Sequence, residues 1–251
     1  MIRLKTAEQI KRIKESCRIL VETFQYIQQF VQPGIKTIEI DREVENFIQA
    51  KHGIPAFKGF NGFPGSACIS IDDQVVHGIP GQRKLENGQI VGVDIGINFN
   101  GYFSDSAFTF PVGKIDAAAR RLLTITRESL YKGIEQAKVG NRLSGISHAI
   151  QVHAESNGYS VVRELVGHGV GLDVWEPPQI PNYGAPGKGI KLQSGMVVAL
   201  EPMINIGDYD VETGEDDWTV VTVDGSLSAH FEHTIAITDN GTEILTEGVG
   251  K

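Results

Sequence analysis

Two acidic residues close a repeated pattern. The segment Lys84-Leu-Glu-Asn-Gly-Gln-Ile-Val-Gly-Val-Asp94 recurs as Lys191-Leu-Gln-Ser-Gly-Met-Val-Val-Ala-Leu-Glu201, at a constant offset of 107 residues. Each copy runs turn, apolar strand, carboxylate. Repeat-related strands point at one pseudo-symmetric centre, so Asp94 and Glu201 are expected to meet there. Carboxylates packed together in a partly dry interior repel one another and lose hydration. That costs many kcal/mol unless cations or protons offset it, so a metal centre is the first expectation.

Other residues of ligand type join them. Across the turn Asn98-Phe-Asn-Gly101, Asp105 falls opposite or diagonal to Asp94, and either register places both on one face. The apolar flanks Ile90-Val-Gly-Val93 and Ala107-Phe-Thr-Phe110 argue against two solvated edge aspartates. Glu232, in Phe231-Glu-His-Thr-Ile-Ala-Ile237, brings the inward carboxylates to four. His168 lies in Val166-Gly-His-Gly-Val-Gly171, where flanking glycines allow close backbone approach and leave the imidazole room to reach inward. One imidazole among oxygen ligands suits two divalent ions that share bridging carboxylates. His77, in Val75-Val-His-Gly-Ile-Pro80, occupies a similar strand end, and reads equally as a further ligand or as a hydrogen-bond donor lining the site.

The elements that must position these groups are legible in the hydrophobic periodicity. Ile10, Ile13, Cys17, Leu20, Phe24 and Ile27 recur at three- and four-residue steps behind the capping box Thr6-Ala-Glu-Gln9, predicting a first helix. A second starts at Thr37, carries Ile40, Val44, Phe47 and Ile48, and ends at His52-Gly53. Strands are predicted at 68–71 and 74–77, and Gln89 to Ile95 pairs with Tyr102 to Phe110. After Val112-Gly113 the plan restarts: Asp116 caps a long helix, and another carries Ile146, Ile150 and Ala154 before Asn157-Gly158. Two helices then strands, twice over, predict an internal duplication of roughly 1–112 and 113–251 within one domain. The Pro/Gly-rich stretch Glu176 to Gly189 is expected to be a surface loop near the second half's centre.

Composition narrows the function classes. With 251 residues, 41% of them apolar, the chain can bury a full core. A formal net charge of −8 with scattered Lys and Arg argues against nucleic-acid partners. There is no apolar signal region and no bilayer-spanning run, so a cytoplasmic protein is expected, monomeric by default since no heptad run appears. Cys17 and Cys68 have no metal or redox spacing and are read as buried thiols.

The ordered set His77-Gly-Ile-Pro, Asp94-Ile-Gly, Ser104-Asp105, Gly167-His168-Gly, Glu201-Pro-Met and Glu232-His-Thr resembles the type I methionine aminopeptidases of the pita-bread fold, over nearly the whole chain. The resemblance implies an α+β fold of two pseudo-symmetric halves, with helices packed on a curved antiparallel sheet. It implies two divalent ions, drawn from Co, Mn, Fe or Zn. Asp105 and Glu232 would bridge them, Asp94 would complete one, and His168 with Glu201 the other. The implied reaction is removal of N-terminal methionine before a small second residue, by two-metal activation of a bridging water, with Glu201 as proton shuttle. His77 would hold the scissile amide, while Phe60, Phe63, Cys68 and Trp218 would form the methionine pocket. Without the family, those four read simply as core residues. Nascent chains are the implied substrates. That points to transient ribosome contact, although no ribosome-docking extension is recognisable.

One position departs from the family at the chemistry. In Gly169-Val-Gly-Leu-Asp-Val-Trp175-Glu-Pro-Pro178, Trp175 stands where the family has a second active-site histidine that contacts the substrate peptide. Trp donates one N–H but carries no positive charge and accepts no proton. Either catalysis is weakened, or Trp175 is part of an altered pocket in which Val174 makes room and histidine would open a cavity. Phe57 and Asn61 also depart from common family choices. The Gly-His-Gly-Val-Gly-Leu-Asp-Val run is also similar to proline-specific pita-bread peptidases. Those generally carry an additional N-terminal domain, and Trp218 with Glu232-His-Thr fits them less well. A catalytically silent binding module is the reading from a different class, supported by Trp175 but opposed by the retention of all five ligand-type residues.

Overall fold

A computed structural model of the chain describes residues 2–250. Helix α1 (Ala7–Ile27) begins at the expected capping box. The Thr6 hydroxyl accepts from the Gln9 N–H, and the Gln9 side chain accepts in return from the Thr6 N–H. Its apolar residues form two stripes. Leu20, Phe24 and Ile27 pack with α2 (Thr37–Ala50) and with Val91, Val93 and Ile95 of the first half. Ile13 and Cys17 instead meet Val170, Val197 and Ala199 of the second. The helix therefore braces both halves. Helix α3 (Ala117–Gln136) is capped by Asp116, whose carboxylate accepts from the Ala119 N–H. It packs with α4 (Ser144–Ser156) over Leu200 and Ile235.

Two antiparallel sheets carry the ligand-type residues. Ile90–Phe99 pairs along its length with Tyr102–Pro111, and at successive stretches with Ile54–Pro55 and Cys68–Ile71. The hairpin turn is tighter than the sequence suggests. Phe99 pairs with Tyr102, leaving Asn100 and Gly101 at φ 53° and 82°, as a two-residue Asn-Gly turn requires. The second sheet runs, in order, Gly241–Ile244, His233–Thr238, Val197–Leu200, Val166–Gly169 and Glu176–Pro181. Its last member corrects the expected loop: only residues 182–189 lack regular structure. Proline removes a ladder donor, but this strand lies at the sheet edge, where only one side of the backbone is paired and proline is tolerated. Equivalent isolated bridges tie Lys36 to Lys84 ahead of α2 and Arg142 to Lys191 ahead of α4, anchoring both copies of the repeated segment.

The edge strand also ties down the chain's first residues. Glu176 is fully enclosed. It accepts from Lys5 Nζ at 2.9 Å, from Arg3 Nε at 3.0 Å, and from the Leu172 and Asp173 N–H groups at 2.7 and 3.2 Å. One carboxylate thus joins the N-terminal arm to the loop that presents Trp175. No helix among the described residues is long and apolar enough to cross a membrane.

The sheets meet along a seam between Tyr102–Pro111 and residues 228–234. Hydroxyls complete the pairing there. Thr234 Oγ1 accepts from the Asp105 N–H at 3.2 Å and donates to the Asp105 carbonyl at 2.6 Å. Ser106 Oγ donates to the Glu232 carbonyl at 2.6 Å, and the Glu232 N–H donates to the Ala107 carbonyl at 2.9 Å. Removing the Thr234 hydroxyl would leave two buried backbone groups unpaired at roughly 1–3 kcal/mol each. Chemical denaturation should therefore find Thr234→Val destabilised by about 2–4 kcal/mol, and Thr238→Val, at an exposed hydroxyl, by less than about 0.5 kcal/mol.

Candidate metal centre

The register resolves the Asp94–Asp105 geometry. Asp94 pairs with Ala107 and Gly96 with Asp105, so the two aspartates are diagonal neighbours on one face. Glu232 approaches from across the seam. Glu201 follows directly after Val197–Leu200, with its carbonyl accepting from Asn182 Nδ2 at 3.0 Å. His168 sits beside Ala199, at a register shift against the edge strand. Its flanking glycines are required sterically: a Cβ on Gly167 would lie 2.5 Å from the Ala199 carbonyl, and one on Gly169 2.5 Å from that of Pro177.

These elements bring the five ligand-type residues together. Ligand atoms of Asp105, His168 and Glu232 all lie within 4.8 Å of one another. His168 Nε2 stands 3.5 Å from Glu201 Oε1 and 3.8 Å from Asp105 Oδ2. Asp94 borders the group closely enough for its charge to act on Asp105, Glu201 and Glu232. The His168 Nδ1 donates to the Gly169 carbonyl at 3.0 Å, which leaves Nε2 as a bare acceptor facing two carboxylates. Asp94 Oδ1, Asp105 Oδ1 and Glu232 Oε1 are buried with no hydrogen-bond partner among the described residues.

Such a cluster repels negative charge. Burial raises the Asp94 carboxyl to about 7, despite a hydrogen bond with Asp105 that favours ionisation. Burial, then the charges of Glu232 and Asp94, push Asp105 well above the carboxylate range. Glu201 is raised by burial and then by Asp94 and Asp105, and Glu232 by burial and then by Glu201 and Asp94. Burial lowers His77 and His168. Without bound cations the site therefore favours protonated acids and neutral imidazoles. Divalent cations fit this donor set, since they replace those protons and satisfy the orphaned oxygens together with the bare nitrogen.

An apolar cavity of about 550 Å³ opens above the cluster. Phe63 packs edge-on to Trp218 with centroids 5.1 Å apart, and Trp218 stands edge-on to His77 at 6.5 Å. Phe60 and Cys68 line the same space, with Phe60 at the open mouth. His77 lies just past Gln74–Val76 at φ 59°, a conformation uncommon outside glycine, which turns its ring into the cavity. Phe57, Asn61 and Val174 contribute to the wall, as do Leu165 and Met203, which sequence reasoning passed over. Trp175 is at the rim, 46% exposed, its ring 6.4 Å from that of His168. That exposure disposes of the cavity argument at this position: a smaller ring would leave no enclosed void.

In metal-free protein, the raised carboxyls make the folded chain bind more protons than the unfolded one, so stability falls as pH rises towards their folded values. The lowered imidazoles pull the opposite way only below roughly pH 6.5, where unfolded histidines are protonated. Between roughly pH 6.5 and 8 the melting temperature of chelated protein should decline while that of metal-loaded protein holds, and metal addition should release protons. A rising melting temperature for chelated protein across that window would contradict this electrostatic account.

Comparison with known proteins agrees with this arrangement. Residues 11–239 match metallopeptidase family M24. The chain is 54% identical over 246 residues to methionine aminopeptidase 1 of Bacillus subtilis, covering 98% of this chain and 99% of that protein. It superposes on the crystal structure of methionine aminopeptidase from Rickettsia prowazekii with a TM-score of 0.97 at 40% identity, covering 98% and 100% of the two chains. The Xaa-Pro dipeptidase from Bacillus anthracis shares only the fold, with a TM-score of 0.77 at 23% identity over 97% of this chain and 62% of that one. A pita-bread architecture, a cluster of acids that calls for divalent cations and full-length similarity converge: the chain belongs to metallopeptidase family M24, on its methionine aminopeptidase branch.

Proposed function

We propose that this chain is a metal-dependent aminopeptidase that removes N-terminal methionine from nascent polypeptides and peptides with a small second residue. The observation that carries the reading is a cation-demanding cluster on the floor of an aromatic cavity. In this reading, Asp105 and Glu232 would be shared between two divalent ions, Asp94 would help hold one, and His168 and Glu201 would help hold the other, with Mn, Fe, Co and Zn all chemically acceptable to such ligands. When bound, the ions lower the pKa of a water and polarise the scissile carbonyl, so no protein nucleophile is needed.

The side chains supply the rest. Glu201 moves the proton from the water towards the leaving amine. His77, kept neutral by burial, holds the scissile amide by hydrogen bonding. Phe60, Phe63, Cys68 and Trp218 take the methionine side chain, whose burial contributes roughly 1.5–3 kcal/mol. Cys68 acts as a wall and not as a nucleophile, because burial pushes its thiol well above the ordinary value. Trp175 meets the substrate at the rim with a single N–H. We read the chain as one domain of two related halves, 1–112 and 113–251, on the strength of the repeated segment and the matched bridges. It acts in the cytoplasm, as a monomer with transient ribosome contact.

Chelation should abolish cleavage of Met-Ala peptides and a divalent ion should restore it, while Asp105→Ala and Glu232→Ala should each be inactive. Met-Ala and Met-Gly should be cut at the first bond, and Ala-Pro should survive. Full activity in protein shown by elemental analysis to be metal-stripped excludes this mechanism. Preferential release of residues before proline transfers the assignment to the proline-specific group.

Trp175 separates a weakened active site from a repurposed one. If an imidazole there normally adds a charge-assisted hydrogen bond to the transition state, Trp175→His should raise kcat/KM by roughly tenfold to a hundredfold. Metal content should not change. Because the ring is half-exposed, stability should shift by less than about 0.5 kcal/mol. Unchanged or reduced kcat/KM on Met-Ala peptides would instead make Trp175 part of a working, altered rim.

A further inference from the structure

His230 has no role in the reaction described above, yet it is enclosed to 4% exposure beside the cluster. It ends the strand Ser228–His230 and pairs with Met203, which follows Glu201 by two residues on the neighbouring strand. Thr109 grips its backbone twice: Oγ1 accepts from the His230 N–H at 3.0 Å and donates to the His230 carbonyl at 2.8 Å. The origin of the ring is therefore fixed across the seam. Its Nε2 lies 3.8 Å from Glu201 Oε2, is shielded from solvent and has no hydrogen-bond partner among the described residues.

Glu201 consequently sits between two imidazoles, one facing each oxygen. Oε1 meets His168 Nε2 at 3.5 Å, and Oε2 meets His230 Nε2 at 3.8 Å. The two contacts are chemically unequal. His168 has committed its N–H to the Gly169 carbonyl, so an acceptor faces an acceptor and a cation belongs between them. His230 lies outside the Asp105–His168–Glu232 group, on the far oxygen of the carboxylate. A ring N–H aimed at that oxygen gives the orphaned Nε2 its partner, and ligating carboxylates are ordinarily held by such outer donors.

We propose that His230 is a positioning residue, which donates Nε2–H to Glu201 Oε2 and so holds Oε1 towards the ion shared with His168. The inference deepens the proposed function and rests on the reading of Glu201 as a ligand. Closing 3.8 Å to hydrogen-bonding distance takes a small rotation of the Glu201 carboxylate, which a cation on Oε1 would fix.

Two substitutions in the full chain test it. His230→Gln keeps an N–H donor of similar reach, and His230→Met fills a similar volume without one. Calorimetric titration of Mn²⁺ into the chelated proteins should find the Met variant weaker by roughly tenfold to a hundredfold, with the Gln variant close to the parent. On Met-Ala peptides, kcat should fall in the Met variant and recover in the Gln variant, while KM, set by the aromatic cavity, stays put. If the Met variant does not fold, His230→Asn, too short to reach Oε2, replaces it. Parent-like metal affinity in the donor-less variant overturns the proposal, as does equal impairment of the Gln and Met variants, which would mark a packing role. X-ray absorption of Co²⁺-loaded protein should show one imidazole ligand; two, falling to one in His230→Gln, would make His230 a ligand and overturn the positioning role. Glu201→Gln separates the two levels. Undiminished metal affinity there removes the underlying reading, whereas loss there with parent-like His230→Met defeats this inference alone.

Discussion

Four carboxylates crowded into one largely enclosed site form the constraint around which the molecule is organised. Left to themselves they would spread apart or stay protonated. The surrounding backbone prevents dispersal: Asp94 and Asp105 are locked by a ten-pair hairpin register, and Glu232 is held by the Ala107 carbonyl. Protonation is the remaining escape, and it is reversible. The scaffold therefore stores an electrostatic conflict that a cation relieves, and the free energy of that relief is available as binding affinity.

The seam explains how such a conflict survives folding. A continuous ladder across it would have placed regular backbone pairs where ligand side chains must emerge. Threonine and serine hydroxyls bridge the two sheets instead, one hydroxyl serving both the N–H and the carbonyl of Asp105. Helix α1 spans the same junction from outside, with one stripe on each half. The halves are thus fastened on both faces while their facing strand ends stay open to the cavity.

Much of this was legible in the chain. Period-two alternation places Asp94 and Asp105 on one face whatever the register, and a cap followed by three- and four-residue spacing marks α1 and α3. Other parts were not legible, for physical reasons. Glu176–Pro181 reads as a loop because proline opposes strands in general, and only its edge position makes it acceptable. The double stripe of α1 depends on a second sheet formed more than a hundred residues later. His230 belongs to no motif, and a lone histidine in an apolar strand looks like core until its ring nitrogen is seen facing Glu201. The exposure of Trp175 depends on tertiary placement that no local pattern encodes.

The grip of Glu176 on Lys5 bears on the order in which the molecule is made. The two residues are 171 positions apart. During synthesis Lys5 emerges well before its anchor, Glu176. The same carboxylate secures the loop that carries Trp175, so this anchor of the cavity rim cannot form before residue 176 has been made. The centre comes later still: Glu201 and Glu232 follow Glu176 in the chain, so a growing chain acquires the anchor of its rim before the last carboxylates of its centre.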